Sequence, residues 1–225
     1  MSLCGGGSIT RFILADVSGH GDAVADVAKA LRDLMRRNIN RKDQDGLVRA
    51  LNRQFAELSG MNRFATAVVA TYLTAGDSLT VCNAGHPRPL WRPAGTGTWV
   101  AVDPAAAGDD LSDLPLGIVP DTAYTRHRIT LGRGDLLLFY TDALTECENR
   151  AGGQLGEDGL VALVNRLDAT DAAALPAALT APWSNTATAP RTATTPPSSC
   201  SATPPHPGVR ETLSVYAKLL GMKSV

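Results

Sequence analysis

Apolar residues recur along the chain with two different spacings, one typical of helices and one typical of strands. Over residues 22–38 they return every three or four positions, and a similar stripe runs from Gly46 to about Ser59. These stripes predict two amphipathic helices whose apolar sides pack into a core. A short apolar run, Phe12–Ala15, precedes both helices and predicts a buried strand that ends at Asp16.

Downstream of Phe64 the chain changes to short runs rich in Ala, Val and Thr, which favour strands. A hairpin turn is expected at Gly76-Asp77, and Pro176 is expected to kink or break the last helix. Strands are predicted over 64–73, 79–82, 89–91, 98–100, 124–131 and 134–141, and helices over 158–167 and 171–179. Helices and antiparallel strands in this order indicate an α+β fold.

A carboxylate stands at the end of the first buried strand, directly before a turn of small residues that includes Ser18 and Gly19. The strand would fix the Asp16 carboxylate, and the small residues would let a phosphate or a hydrated cation approach. Asp142 follows the apolar run of 134–141 in the same way. Each aspartate could instead cap the next helix or turn. The residues alone therefore leave a cation site and a capping role both open.

Four stretches carry a more specific signal because they occur together in a fixed order, with Pro115-Leu116-Gly117 between the last two. The four are Asp16-Val17-Ser18-Gly19-His20-Gly21, Phe64-Ala65-Thr66-Ala67, Asn83-Ala84-Gly85-His86-Pro87-Arg88-Pro89-Leu90 and Gly134-Asp135-Leu136-Leu137-Leu138-Phe139-Tyr140-Thr141-Asp142. The set resembles the bacterial PPM-type serine/threonine phosphatases, the SpoIIE/RsbU branch of the type-2C phosphatases, over about residues 8–165. The resemblance implies a four-layer α-β-β-α sandwich of two mostly antiparallel sheets flanked by helices.

The same resemblance implies a metal-dependent active site. Asp16 and Asp142 would be its catalytic residues: Asp16 would bridge two Mn²⁺ or Mg²⁺ ions, the Val17 backbone carbonyl would add a ligand, and Asp142 would bind one ion. Ser18 and Gly19 would contact the substrate. The implied reaction is hydrolysis of phosphoserine or phosphothreonine on a regulatory protein of the anti-sigma-factor-antagonist type, by a metal-activated water. The alternative is a catalytically impaired relative that binds a partner through the same surface.

Composition narrows the classes of function. The chain has 225 residues, a formal net charge of −1 and a pI of about 6.4, so it lacks the basic footprint of a nucleic-acid or anionic-membrane binder. No apolar run is as long as a membrane span and no signal peptide is visible, and we expect a cytoplasmic protein. The spacing of the cysteines fits neither a zinc site nor a disulfide framework, and we expect reduced thiols at Cys4, Cys82, Cys147 and Cys200.

Several other polar residues invite a functional role, and for most of them we favour a structural one. His20 is expected to shape the turn after Asp16, and His86 is expected to be structural within a Pro-containing turn. The acidic loop 103–113 could hold an extra cation, but a solvated loop is favoured. Arg11 and Arg88 are minor candidates for contact with phosphate.

The chain departs from the family pattern at three places. The Gly-Gly-Asp strand that normally precedes the Asp16 strand is not in the sequence, so we expect this strand to be missing. Ala143 stands where the family has a glycine, and its methyl group would crowd the backbone if a glycine-only dihedral were needed. The last family motif, Asp-Asp followed by an aliphatic strand, is also missing. The fold is therefore expected to be incomplete at both ends.

The expected organisation is a phosphatase domain over 4–182, a Pro/Thr/Ser/Ala-rich segment over 183–207, and an unassigned segment with helical spacing over 208–225. Codons for 193–202 read one base earlier permit the missing Asp-Asp motif. A shifted reading frame and an ordinary low-complexity tail are both open explanations. A shifted frame would remove a metal ligand and an inner strand, so we expect weak or absent activity and an unpaired strand edge that favours a homodimer.

Overall fold

The computed structural model describes residues 2–4, 9–19, 22–41, 43–59, 63–102, 112–147, 153–167 and 174–184. Over these ranges the chain forms eight strands and five helices. In chain order they are β1 (Ser2–Cys4), β2 (Ile9–Val17), α1 (Asp22–Asn38), α2 (Gln44–Ser59), β3 (Ala65–Leu73), β4 (Ser78–Ala84), β5 (Leu90–Arg92), β6 (Val100–Ala101), β7 (His127–Thr130), β8 (Leu136–Leu138), α3 (Asp142–Thr145), α4 (Gly156–Arg166) and α5 (Leu175–Ser184). The chain divides into two compact units, one of residues 1–88 and 102–132 and one of residues 89–101 and 133–225.

The first unit is built on a five-stranded sheet with the order β1-β2-β3-β4-β7, in which every neighbouring pair is antiparallel. The central strand β3 pairs with β2 from Ile9↔Leu73 to Val17↔Ala65. Gly76 and Asp77 adopt positive φ angles of 84° and 49° in the turn between β3 and β4, as a tight hairpin requires. This confirms the predicted central strand and the hairpin.

One face of this sheet and the apolar stripes of α1 and α2 form the core of the first unit. Ala15 and Val17 of β2 pack against this core, as do buried residues of β3 and β4. The helices contribute Leu31, Leu34, Leu47, Val48, Leu51 and Phe55, each at most 3% exposed. Strand residues alternate between faces, so Leu14 and Asp16 lie on the sheet face opposite the helices.

The second unit contains a three-stranded antiparallel sheet with the order β6-β5-β8. Its core combines this sheet with Leu160 and Val164 of α4 and Leu179 of α5, together with Trp99 before β6 and Tyr140 after β8. Side chains also tie the strands together. Asp135 accepts hydrogen bonds from Trp91 Nε1 at 3.0 Å and from the Ala94 N–H at 2.9 Å. The side chain of Asn165 in α4 accepts the Trp99 N–H at 2.7 Å and donates to the Trp99 carbonyl at 3.1 Å.

The α+β class with two antiparallel sheets is confirmed, and α1 has the bounds predicted for it. A short strand, β1, precedes the Asp16 strand and pairs with it through Ser2↔Arg11 and Cys4↔Ile9, but its sequence is Ser-Leu-Cys and not the Gly-Gly-Asp segment expected to be missing. Helix α5 begins at Leu175, so Pro176 lies in its first turn, where proline is tolerated, and does not break it. The predicted segments beyond 184 lie outside the described residues. Among the described helices, none has the length and apolarity needed to cross a membrane.

Candidate functional site

Asp16 lies one residue before the end of β2 and is exposed. It shares its sheet face with Leu14, which is only 8% exposed. The carboxylate therefore stands near the end of β2, which is largely half-buried rather than buried and continues one residue beyond the predicted end at Asp16. Val17 lies opposite Ala65, whose N–H and carbonyl both bond to Leu116, at 3.0 and 2.8 Å. The backbone of Ala65 is thus directed to Leu116 rather than to the Val17 carbonyl.

The turn after β2 is held by a reciprocal contact with the start of β3. The Ser18 N–H donates to the Phe64 carbonyl at 3.0 Å, and the Ser18 hydroxyl accepts the Phe64 N–H at 3.2 Å. Gly19 has a φ angle of 107°, and a Cβ atom there would lie 3.3 Å from Cγ2 of Val24. Ser18 and Gly19 therefore shape this turn. Their predicted contact with substrate stays a prediction.

Thr66 stands directly across from Asp16 in the β2–β3 register. Its hydroxyl lies 2.9 Å from Nδ1 of His86, a residue that is 4% exposed. The side chain of Asn83 accepts the His86 N–H and donates to the His86 carbonyl, both at 2.7 Å. His86 is thus held at its ring and at its backbone, in agreement with the structural role expected for it.

Two glycines allow the neighbouring motifs to approach this strand end. Gly85 has a φ angle of 64°, and a Cβ atom there would lie 2.4 Å from Cγ of Pro115. Gly117 has a φ angle of 90°, and its Cβ would lie 3.0 Å from both the Arg63 carbonyl oxygen and the Phe55 ring. Bridges Ala65↔Leu116 and Ala67↔Gly85 join the same segments to β3. The motifs at 16–19, 64–67, 83–87 and 115–117 therefore meet at one end of the first sheet.

Asn52 of α2 secures the Pro115-Leu116-Gly117 segment from the core side. It is fully buried, accepts the Gly117 N–H at 2.8 Å and donates to the Val119 and Pro120 carbonyls at 2.7 and 3.0 Å. Sequence analysis did not identify Asn52, Thr66 or Asn83 individually. The only signal for the latter two was their position inside resemblance motifs, and Asn52 had none.

Asp142 belongs to the second unit and is exposed there. It is the first residue of α3 and lies four positions after Leu138, where β8 ends. Its backbone carbonyl accepts the Glu146 N–H at 2.8 Å. The predicted strand over 134–141 was thus too long. Ala143 lies within α3, where a helical backbone accepts alanine, so no glycine-only dihedral is needed there. The joint site of Asp16 and Asp142 stays a prediction.

The donors proposed for the metals are carboxylate and backbone carbonyl oxygens, which are the ligands that Mg²⁺ and Mn²⁺ prefer. The exposed Asp16 carboxylate at a fixed strand end suits such an ion. Within the described ranges, His, Cys, Asp and Glu side chains form no group of three or more that could hold a metal ion. The carboxylate of Asp16 is therefore of the donor type that a hard cation prefers.

Three further candidates are resolved as structural or lie outside the described residues. Arg11 is 6% exposed; it donates to the Thr71 hydroxyl at 2.8 Å and to the Ile39 carbonyl at 2.7 Å, and also contacts the Arg41 carbonyl, so its guanidinium binds protein rather than phosphate. Asp113 accepts the Thr125 N–H at 2.7 Å. His20 and the acidic loop over 103–111 lie outside the described residues.

Cys82 and Cys147 are free thiols. Cys82 lies on β4 in the core of the first unit and is 1% exposed. Burial raises the pKa of the Cys82 thiol from 9.0 to about 12, so this group is a neutral thiol near pH 7. Burial also raises the pKa of Cys147 and of Tyr124. Neither cysteine has the lowered pKa of a nucleophile.

Comparison with known proteins agrees with the fold and the motifs. A family model described as Stage II sporulation protein E (SpoIIE) matches residues 6–191. The RsbU and RsbW domains of Rv1364c from Mycobacterium tuberculosis are 30% identical, with a TM-score of 0.54, over 64% of this chain and 38% of that chain. The chain thus spans well under half of that structure.

Two further structures share the fold at lower identity. The PP2C phosphatase domain with a regulatory fragment of SpoIIE from Bacillus subtilis is 16% identical, with a TM-score of 0.55, over 77% of this chain and 51% of that chain. The SiaA-PP2C domain of Pseudomonas aeruginosa is 13% identical, with a TM-score of 0.57, over 79% of this chain and 71% of that chain. Because the family match spans most of the sequence, the chain belongs to the SpoIIE family of PPM-type serine/threonine phosphatases.

Proposed function

We propose that this chain is a metal-dependent protein serine/threonine phosphatase domain. The observation that carries the proposal is the exposed Asp16 carboxylate at the end of β2, with the motifs around Thr66, Gly85 and Leu116 gathered at the same end of the sheet. A fixed, accessible carboxylate amid close-packed backbone is a suitable anchor for a hydrated divalent cation.

In this proposal, Asp16 and the Val17 carbonyl bind Mn²⁺ or Mg²⁺, and Asp142 binds one ion, as the family resemblance implies. When bound, such ions supply positive charge for the phosphoryl oxygens and make water more acidic at neutral pH. The protein residues hold the ions, and the turn at Ser18 and Gly19 leaves space for the phosphate. Ser18 cannot easily leave its place, because its N–H and hydroxyl both bond to Phe64.

The proposed substrate is phosphoserine or phosphothreonine on a regulatory protein, of the anti-sigma-factor-antagonist type that the RsbU resemblance implies. A group of exposed apolar side chains, called the apolar rim here, favours a protein over a small molecule as the substrate. Its side chains are 37–49% exposed and are those of Phe64, Ile118 and Val119. They lie beside the strand end, because Phe64 bonds to Ser18 and the 116–119 segment pairs with Ala65 and Asn52. Apolar contacts on both partners would orient such a substrate.

The proposal is tested by phosphate release from a phosphoserine peptide and from p-nitrophenyl phosphate, with and without Mn²⁺. We expect slow, Mn²⁺-dependent turnover that Asp16→Asn abolishes, with the melting temperature of the variant unchanged. Turnover that survives Asp16→Asn, or that needs no metal, would contradict the assignment. Mn²⁺ binding without any turnover would favour the impaired, partner-binding relative. We also propose that the protein is cytoplasmic. Light scattering, which gives the molar mass in solution, tests whether the chain forms the homodimer expected from its sequence.

A further inference from the structure

We infer that the solvent-exposed side of α1 is a docking surface for an acidic segment of a partner protein. The surface, called the basic face here, consists of exposed side chains of α1 and of the loop that follows it: Lys29, Arg32, Arg36, Arg37 and Arg41. Residues 29–42 hold six of the chain's 21 basic residues and a single acidic one, Asp33. Docking there needs neither a bound ion nor turnover, so it is independent of the proposed metal site.

Helical spacing places the middle of the basic face on one side of α1. Lys29, Arg32 and Arg36 are separated by three and four positions, so their side chains are neighbours on the helix surface. The opposite side carries Leu31 and Leu34, which are 2% and 3% exposed in the core of the first unit. Burial of these leucines fixes the rotation of α1 about its axis, and the basic side chains are therefore held toward solvent.

The loop after α1 fixes the end of the basic face. Asn38 is buried, and its amide donates to the Leu34 carbonyl and to Gln54 Oε1, both at 2.9 Å. Its Oδ1 accepts from Nε of Arg41, and its backbone carbonyl accepts the Arg41 N–H, both at 2.9 Å. The Arg41 guanidinium group is therefore oriented before any partner binds, so less side-chain entropy is lost on binding.

Most charges of the basic face lack a counter-charge among the described residues. Arg36 lies 3.9 Å from Asp33. No carboxylate within the described ranges forms an ion pair with Lys29, Arg32 or Arg37. Like charges three or four positions apart repel one another on a helix. The helix dipole favours cations in the last turn, where Arg36 and Arg37 lie. Lys29 and Arg32 lie in the middle of α1, so the dipole does not account for them.

The exposed arginines of the neighbouring helix α2 are paired instead. Arg49 lies 3.3 Å from Asp45, and Arg53 lies 2.8 Å from Asp121. The basic face is thus the part of this helix pair whose cations can accept carboxylates from outside the chain. The planar guanidinium group of arginine donates two parallel hydrogen bonds to a carboxylate, so a face of this composition fits Asp and Glu side chains.

Two features favour an acidic protein over a nucleic acid or an anionic membrane. Asp33 lies within the basic face with 48% of its side chain exposed. A uniform array of phosphates would meet a like charge there, whereas a protein can place a basic side chain opposite it. In addition, α1 has no aromatic residue on which bases could stack. In the described part of the chain, the exposed large apolar side chains that could enter a membrane all lie outside α1.

Fluorescence anisotropy of a labelled oligoglutamate peptide, titrated with the full chain in the absence of Mn²⁺, tests this docking surface. We expect binding that weakens as the salt concentration rises, because salt screens exposed charges. The double variant Arg32→Glu/Arg36→Glu should bind the peptide at least about tenfold more weakly. The matched control Arg49→Glu/Arg53→Glu changes the net charge by the same amount on α2 and should bind within about threefold of the unaltered chain. Circular dichroism checks that both variants fold.

Three results would overturn the docking surface. If oligoglutamate does not bind, the basic face is not a site for acidic protein. Equal losses in the two double variants would mean that net charge alone attracts the peptide. Tighter binding of a single-stranded oligonucleotide or of phosphatidylserine vesicles, lost in Arg32→Glu/Arg36→Glu, would assign the face to a phosphate-bearing partner. If that variant does not fold, Arg32→Gln/Arg36→Gln removes the two charges without reversing them and should bind oligoglutamate about fivefold more weakly.

Discussion

Asn52, in the middle of α2, accepts the backbone N–H of Gly117 at 2.8 Å across 65 residues of sequence. The same side chain donates to two carbonyls of the following loop, at Val119 and Pro120. One buried amide therefore satisfies three backbone groups of the loop that pairs with the start of β3. We expect the loop and the strand end beside Asp16 to depend on it.

Replacing Asn52 with leucine should lower the free energy of unfolding by about 3 kcal/mol. The leucine fits a core position, but it leaves buried backbone groups without partners, at a cost of about 1–3 kcal/mol for each group that water cannot reach. Urea denaturation followed by circular dichroism measures the loss. The next residue gives a matched control. Arg53 pairs with Asp121 at 2.8 Å on the exposed side of the same helix, so Arg53→Ala should change stability by less than about 1 kcal/mol. Similar losses in the two variants would contradict this account of Asn52.

Gly117→Ala should destabilise the first unit more than Gly76→Ala. Both glycines have positive φ angles, of 90° and 84°, so both substitutions strain the backbone by about 1 kcal/mol. A Cβ at position 117 also meets the Arg63 carbonyl oxygen and the Phe55 ring at 3.0 Å, whereas nothing lies within 4 Å at position 76. The difference between the two urea midpoints isolates the steric part. Equal midpoints would mean that the Gly117 turn relaxes around the added methyl group.

The sequence predicted those parts of the fold in which a periodic pattern and its burial agree. The apolar stripe of α1 gave its bounds, Asp22–Asn38, because each repeat of that stripe meets the same core. The run before Asp142 was equally apolar, yet β8 ends at Leu138. An apolar run indicates burial, whereas a strand also needs a hydrogen-bonded neighbour. Strand β5 pairs with β8 only from Arg92↔Leu136 to Leu90↔Leu138, so β8 ends there.

The candidate site was predictable only where the chemistry is local. Asp16 is recognisable because its strand, its carboxylate and its glycine turn are consecutive in the chain. The contact between Thr66 and His86 joins residues 20 positions apart, and the contact of Asn52 spans 65. A single asparagine within an apolar helical stripe has the same local pattern whether its amide meets solvent or a distant loop. Register and tertiary packing, which one sequence does not display, decide between them.

Stability should decrease as the pH rises above about 9, partly because of Cys82. Its thiol has an ordinary pKa of 9.0, which burial raises to about 12 in the folded chain. Below pH 9 the thiol is protonated in both the folded and the unfolded state, so the free energy of unfolding does not depend on it. Between pH 9 and 12 the thiol ionises in the unfolded state but stays protonated in the folded state, which favours unfolding. One such proton changes the free energy of unfolding by at most about 1.4 kcal/mol per pH unit.

Urea midpoints between pH 7 and 10.5 measure this loss, and Cys82→Ala is the variant to compare. Its own packing cost appears at every pH, but its curve should fall less steeply above pH 9. Tyr124 contributes in the same direction, since burial raises its pKa as well, so some slope remains in the variant. Parallel curves for the two chains would show that the Cys82 thiol does not carry the effect.

Phe64→Ser should raise KM for a phosphoprotein substrate and leave KM for a small substrate unchanged. Phe64 is 43% exposed and next to the proposed catalytic turn, so its ring is available to a partner and contributes little to the core. We expect KM for the phosphoprotein to rise by about five- to tenfold, the loss of about 1–1.4 kcal/mol of apolar contact, with kcat nearly unchanged. KM for p-nitrophenyl phosphate, which is too small to reach the rim, should stay the same. Val100→Ser is the control, because Val100 is equally exposed at 44% but belongs to β6 in the other unit. Equal effects of Phe64→Ser on both substrates would mean that the ring supports the turn at Ser18 rather than a partner protein.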